Sequence, residues 1–195
     1  MADLLRSRIR DIADFPRSGV VFKDITPLLA DPRSFQATID GLAGPFEGRG
    51  ITKVLGIEAR GFIPAAPVAS RLGAGFVPVR KAGKLPWQVE KTEYVLEYGS
   101  DLLEIHQDAV APGERVLVVD DVMATGGTAA AAVRLAETLG GHVVGLAFIV
   151  ELAFLGGRSQ LGGREAIALV TYGSDDAMAP DGGTPDPRAG GNEAG

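Results

Sequence analysis

The chain has 195 residues, 46% hydrophobic and 23% charged, which is the composition of an ordinary globular protein and excludes a fibre, a collagen or a wholly disordered chain. Nineteen Lys and Arg against twenty-five Asp and Glu leave a net charge of -6, so there is no global basic excess to hold a nucleic-acid backbone or an anionic membrane, and any anion site must be local. With no cysteine, disulfides, thiolate zinc sites and thiol catalysis are excluded together, and the two histidines, His106 and His142, are too few for a His-rich metal centre.

At the N-terminus, Arg6, Arg8, Arg10 and Asp11 interrupt the apolar residues, which rules out the apolar core of a secretory signal. Leu5, Ile9 and Ile12 instead predict one face of a short amphipathic helix. No run approaches the roughly 18 apolar residues of a membrane span, and a cysteine-free chain of this kind suits the cytoplasm. Asp31-Pro32 predicts a helix start, a capping carboxylate followed by proline at the first position, with Phe35, Ile39, Leu42 and Phe46 recurring at helical spacing. Lys53 to Ile57 reads as a buried strand, followed by a loop, a helix to Leu72 and a second strand from Gly75 to Val79.

Residues 80 to 107 are polar, turn-rich and partly alternating, and predict hairpin strands beside the main sheet. Regular order resumes with a strand from Val116 to Val119, a helix from about Gly127 to Leu139, a strand from His142 to about Val150, a short helix near Phe154 to Leu161 and a last strand from Ala166 to Tyr172. Apolar strands alternating with helices predict an α/β fold, a doubly wound, mostly parallel sheet with flanking helices and with ligands beyond the carboxyl ends of its strands. Residues 1–173 are expected to form one domain. The last 22 residues, from Ser174 onward, hold five Gly, three Pro and a single large apolar residue, Met178, and predict a disordered tail.

The chemistry concentrates in Val116 to Thr128, where a buried strand delivers Asp120 and Asp121 to a small-residue turn, Ala124-Thr125-Gly126-Gly127-Thr128, that opens a helix. Backbone N–H groups of such a turn close around a phosphate, helped by the helix N-terminus and the Thr125 and Thr128 hydroxyls. The two carboxylates beside it suit the vicinal hydroxyls of a sugar. An acidic pair or a Gly-Gly turn alone is usually a solvated strand end; their combination in this order points to a sugar phosphate. Gly126-Gly127-Thr128 lacks the lysine of a P-loop, and the G-x-G-x-x-G dinucleotide fingerprint is also missing. A receiver-type phosphoaccepting aspartate would not need the threonine-glycine cradle.

This segment resembles the phosphoribosyl-diphosphate-binding signature of the type I phosphoribosyltransferases. Phe15 to Pro27, Gly56 to Phe62, Arg80 to Pro86, Tyr94 to Gly99 and Leu103 to His106 bring the likeness to the adenine-specific branch of that family, over about residues 1 to 172. The resemblance implies transfer of the phosphoribosyl group from 5-phosphoribosyl-1-diphosphate to adenine, giving AMP and pyrophosphate in purine salvage. It further implies Mg²⁺ carried mainly by the diphosphate with no direct protein ligand, a small hood at about residues 1–30, a mobile loop within 80–107 and a homodimer.

By the same resemblance, Ala124, Thr125, Gly126, Gly127 and Thr128 hold the 5'-phosphate, and Asp120 and Asp121 the ribose hydroxyls. Glu58, Ala59, Arg60 and Gly61 receive the pyrophosphate, with a non-proline cis peptide expected at Glu58-Ala59. Arg80, Lys81 and Lys84 assist there, partly across a dimer interface, as does Tyr98. Val21 and Lys23 offer backbone groups to adenine, with Phe22 on one face of the base and Val122 on the other. Glu97 assists proton loss from the base, and Arg60 and Glu97 are the catalytic pair. Prolines at Pro64 and Pro67, where many family members carry a glycine, predict a kinked first helical turn. Two alternatives stand beside this assignment: a phosphoribosyltransferase for hypoxanthine, guanine or xanthine, and a non-catalytic regulator that keeps the phosphoribosyl-diphosphate pocket. No separate DNA-reading helix-turn-helix segment supports the latter.

Overall fold

The computed structural model describes residues 1–95 and 100–176. Two short helices and a ribbon begin the chain: α1 (Ala2–Arg6), β1 (Arg10–Ile12), β2 (Phe22–Asp24) and α2 (Thr26–Ala30). The α/β body follows as α3 (Pro32–Ala43), β3 (Lys53–Ile57), α4 (Phe62–Leu72), β4 (Gly75–Lys81), β5 (Val89–Val95), β6 (Ser100–His106), β7 (Arg115–Met123), α5 (Gly127–Thr138), β8 (His142–Leu152) and β9 (Ala166–Tyr172).

Seven strands form one sheet in the order β5-β6-β4-β3-β7-β8-β9. β4, β3, β7, β8 and β9 run parallel, and the β5–β6 hairpin joins antiparallel through Arg80↔Glu104 and Lys81↔Leu103. This is the doubly wound sheet expected from the alternation of apolar runs, with the hairpin continuing it. Successive residues of β7 point to opposite faces. Leu117 and Val119 join a core with α1 to α4, while Val116 and Val118 join a second core under α5. Both faces of the sheet are therefore covered, which is why its strands read as continuous apolar runs.

Chain direction across the sheet reverses between β3 and β7: β3 leads outward to β4, and β7 leads the other way to β8 and β9. Their pairing ends at Gly56↔Val119. β7 runs four residues further, to Met123, whereas β3 stops at Ile57 and is followed by a cis peptide at Glu58-Ala59, where the sequence placed one. The two strands part at their carboxyl ends and open a crevice, the position at which open α/β sheets bind ligands.

Several boundaries differ from expectation. α1 ends at Arg6, because pairing with β2 draws Arg10–Ile12 into a strand, and an isolated helix of this length is marginal in water. Ile12 therefore lies on the ribbon and not on a helical face. Asp31 caps α3 as predicted, its carboxylate accepting from Ser34 N at 2.8 Å, a bond that holds its pKa below the usual value. That helix ends at Ala43, and Phe46 is buried from a following 3-10 turn. The short helix expected at 154–161 is two 3-10 turns, Ala153–Leu155 and Gly157–Leu161. α4 continues through Pro64 and Pro67 to Leu72; Pro64 falls within the first turn, where an N–H has no helical partner anyway. Residues Ser174–Asp176, the start of the expected tail, form a 3-10 turn.

Candidate active site

A cleft of about 600 Å³ occupies the crevice, a size suited to a small ligand. The ends of β3 and β7, the β2 strand of the hood and Tyr94 of β5 all contribute to its lining. Val21, Phe22 and Lys23 of the hood, Glu58, Ala59 and Arg60 of the β3–α4 loop, Lys81, and Asp120, Asp121, Val122, Ala124 and Thr128 all line it. Residues far apart in the sequence, from Val21 in the hood to Thr128 at the start of α5, thus meet at one opening.

Asp120 and Asp121 lie within β7, not beyond its end, and only 8% and 6% of their surfaces are exposed. Asp120 Oδ1 accepts from Asp121 N at 2.9 Å. A Cβ at Gly61 would collide with this carboxylate and with the carbonyl of Ile57, so the absence of a side chain there makes room for Asp120. Burial pushes the Asp120 carboxyl well above the usual carboxylate range, and the adjacent Asp121 charge pushes it the same way. A raised folded-state pKa means that Asp120 favours the folded state below the ordinary carboxylate value of 3.8, and that this contribution is lost as pH rises through the raised value. Asp120→Asn should flatten that decline and raise the melting temperature at neutral pH, while lowering activity. A melting temperature unchanged between pH 4 and 8 relative to wild type would contradict this.

Arg60 lines the cleft and reaches across it to Asp121. Its Nε lies 2.5 Å from Asp121 Oδ2, and its guanidinium sits 5.2 Å from the centroid of the Phe22 ring. It therefore bridges the end of β7 and the hood. Its side chain is 48% exposed, leaving its outer nitrogens accessible to a charged ligand.

Glu58 and Arg80 form an internal strut. Arg80 Nη2 donates to Glu58 Oε1 at 3.1 Å and its Nη1 to the Lys84 carbonyl at 3.1 Å, while Lys81 N donates to Glu58 Oε2 at 2.9 Å. Burial pushes the Glu58 carboxyl up, but the Arg80 and Lys81 hydrogen bonds outweigh it and hold the carboxyl below its usual value. Arg80 thus ties the β3–α4 loop to the basic turn that carries Lys84, and its side chain does not line the cleft. The Lys81 side chain pairs with Asp101 at 3.3 Å. Lys84 stands at the exposed end of the same turn, which buried Glu104 fastens by accepting from Gly83 N at 2.9 Å.

The turn from Ala124 to Gly126 leads into α5, which has no side-chain cap, so the first-turn N–H groups of Gly127, Thr128 and Ala129 remain available to an anion. Gly126 takes φ +81°, and a Cβ there would strike the carbonyl of Gly157; a Cβ at Gly157 would strike the carbonyl of Ala124. Backbone touches backbone, so the turn is shaped from behind. The Gly157 segment is itself held by Arg158, which grips buried Glu151 through two hydrogen bonds of 2.7 Å.

Tyr94 carries no role in the sequence reading, although it lines the cleft. Burial pushes its hydroxyl up to about 12, with the Asp101 charge adding to the shift, so it stays protonated and donates to Asp101 at 3.3 Å. Alternation along β5 puts Tyr94 on the inward face with Thr92, which is the one signal that could have found it. The side chain of Lys23 also departs from the cleft, leaving its backbone on the wall. Glu97 and Tyr98 lie outside the described residues.

Residues 26–162 match the phosphoribosyl transferase domain. The chain is 55% identical over 172 residues to the adenine phosphoribosyltransferase of Anaeromyxobacter dehalogenans, covering 88% of this chain and all of that protein. It is 59% identical over 161 residues to that of Streptomyces coelicolor, covering 83% and 88%. Among solved structures, the adenine phosphoribosyltransferase of Thermoanaerobacter pseudethanolicus superposes with a TM-score of 0.85 at 50% identity, covering 88% of this chain and 100% of that one. The Saccharomyces cerevisiae enzyme, in complex with an imino-altritol bisphosphate and adenine, gives 0.82 at 42% identity, covering 86% and 97%. The chain belongs to the type I phosphoribosyltransferase family and, within it, to the adenine phosphoribosyltransferases.

Proposed function

We infer that the chain transfers the phosphoribosyl group of 5-phosphoribosyl-1-diphosphate to adenine, giving AMP and pyrophosphate in purine salvage. The observation that carries this is the meeting, in one cleft, of an uncapped glycine turn, two buried carboxylates and an aromatic hood. Each suits one part of the product: phosphate, ribose and base.

The turn from Ala124 to Thr128 binds the 5'-phosphate through its N–H groups and hydroxyls. Asp120 and Asp121 accept from the ribose hydroxyls, and those hydrogen bonds offset part of the desolvation that burial imposes on Asp120. Arg60, with the backbone of Glu58 to Gly61, receives the diphosphate, and Lys84 and Lys81 add positive charge on the same side. As the bond from C1' to the diphosphate oxygen breaks, these cations stabilise the negative charge that collects on the leaving group. Phe22 and Val122 sandwich adenine, and the backbone of Val21 and Lys23 reads its polar edge. The base nitrogen that forms the new glycosidic bond loses its proton, for which Glu97 is assigned as acceptor. The protein's main contribution is alignment and exclusion of water.

Among the described residues there is no group of three or more side chains able to hold a metal ion, and Glu58 is engaged by Arg80. This donor set fits Mg²⁺ brought in by the diphosphate and water, an ion that gives up its hydration reluctantly. When bound, it neutralises charge on the diphosphate. No helix of the described residues is long and apolar enough to cross a membrane. A homodimer acting in the cytoplasm, with Arg80 to Lys84 near the partner subunit, completes the proposal on the strength of the family resemblance.

The test is product formation by the purified protein with Mg²⁺ and 5-phosphoribosyl-1-diphosphate, offering adenine, hypoxanthine, guanine and xanthine separately. AMP from adenine, with the other bases slower by about a hundredfold or more, is the expected result. Another preferred base would retain the phosphate site and overturn the hood assignment.

A further inference from the structure

The hood ribbon contains only three residue pairs, Arg10↔Asp24, Asp11↔Lys23 and Ile12↔Phe22. A two-stranded ribbon of that length is not stable by itself, so something else must hold Phe22 at the cleft. Alternation along β2 turns Phe22 one way and Lys23 the other. The Lys23 side chain is only 2% exposed, and its ammonium is met by Asp11 Oδ1 at 2.9 Å, the Asp176 carbonyl at 3.2 Å and the Tyr172 ring at 4.2 Å from its centroid. Asp176 is itself fixed: its carboxylate pairs with Arg6 at 2.8 Å and accepts from Gly173 N at 2.9 Å, and the Arg6 guanidinium lies 4.5 Å from the same Tyr172 ring.

A buried ammonium holds its position only while its partners are in place. Two of those partners, Tyr172 and Asp176, follow or end the last strand, some 150 residues from β2. We propose that Asp176, through the turn it closes, is a positioning residue for the base pocket, clamping Lys23 from behind so that Phe22 and the adjoining backbone present a fixed wall to the base. This rests on the assignment of adenine to the hood. It also places the first residues beyond the last strand within the working enzyme, although their composition reads as the start of a tail.

The experiment uses the full chain with Asp176→Ala, which removes both the Arg6 pair and the cap on Gly173, and with Asp176→Asn, whose single amide oxygen keeps the cap on Gly173 while giving up the Arg6 pair. For Asp176→Ala, KM for adenine should rise about fivefold while KM for 5-phosphoribosyl-1-diphosphate stays within about twofold, and Asp176→Asn should restore most of the loss. Amide exchange at Phe22 to Asp24, measured without substrate, should quicken about tenfold in Asp176→Ala. Unchanged exchange overturns the clamp whatever base the enzyme uses. Faster exchange with KM raised equally for both substrates, or for neither, overturns its role at the base. Wild-type protein that forms no AMP would instead refute the assignment of adenine, with the exchange result still deciding the clamp.

Discussion

Arg60→Ala should lower kcat/KM by about a hundredfold to a thousandfold, the scale associated with removing a donor that stabilises a departing anion. The same substitution should destabilise the free protein by about 1–2 kcal/mol, because it strips the ionic partner from a buried carboxylate. Asp121 is 6% exposed and its Oδ2 is held by Arg60 Nε, with the Asp120 carboxyl next to it in the strand. The two effects separate in the double variant. Arg60→Ala with Asp121→Asn removes the stranded charge and should recover most of the lost stability, while activity stays at or below that of Arg60→Ala. Urea denaturation and steady-state kinetics on the four proteins of this cycle measure both couplings. If the double variant is no more stable than Arg60→Ala, the ion pair does not govern the stability of the cleft.

Gly126→Ala should be as damaging by a different route. Gly126 has φ +81°, a conformation costing a non-glycine residue about 1–3 kcal/mol. The new methyl group would also meet the Gly157 carbonyl, and backbone cannot swing aside as a side chain can. The turn must shift away from the Gly157 segment, taking with it the uncapped N–H groups that the proposed function assigns to the 5'-phosphate. The expected result is a rise of about tenfold or more in KM for 5-phosphoribosyl-1-diphosphate and a similar fall in kcat, with KM for adenine far less affected. Gly156→Ala is the control for glycine loss nearby: its φ of +67° carries the strain, but no atom lies within 4 Å of the added carbon. Equal kinetic damage in both would show that backbone strain, and not the contact behind the turn, sets the geometry.

The parts of the fold that were legible in sequence are those fixed by local pattern. β3 and β9 begin and end at the predicted residues, and α3 starts at the predicted Asp31-Pro32 pair, since short apolar runs bounded by turn residues and a capping carboxylate before proline are complete signals in themselves. β7 was legible only to Val119 because its last four residues include two aspartates, which read as a strand end; pairing with β8 through Met123↔Glu151 extends it. The grouping of Asp120, Asp121 and the turn to Thr128 was visible because it is contiguous. Arg60, Arg80, Lys23 and Tyr94 were not legible in the same way. Arg60 meets Asp121 across 61 positions, and Lys23 meets Asp176 across 153, so their partners exist only once the sheet is assembled. A charged residue on a loop shows that charge is available there, whereas its aim depends on which strand ends beside it.

The arrangement of the cleft has a functional consequence for Arg60. Arg60 contacts Asp121 and lies against Phe22, so one side chain joins two of the groups to which the proposed function gives the ribose and the base.

The most direct measurement is a single incubation of the full chain with Mg²⁺, 5-phosphoribosyl-1-diphosphate and equal concentrations of adenine, hypoxanthine, guanine and xanthine, with nucleotides and pyrophosphate quantified together. AMP as the dominant nucleotide, formed in equal amount to the pyrophosphate released, is the predicted result. Pyrophosphate release without AMP, or a different dominant nucleotide, would contradict the assignment of this cleft to adenine.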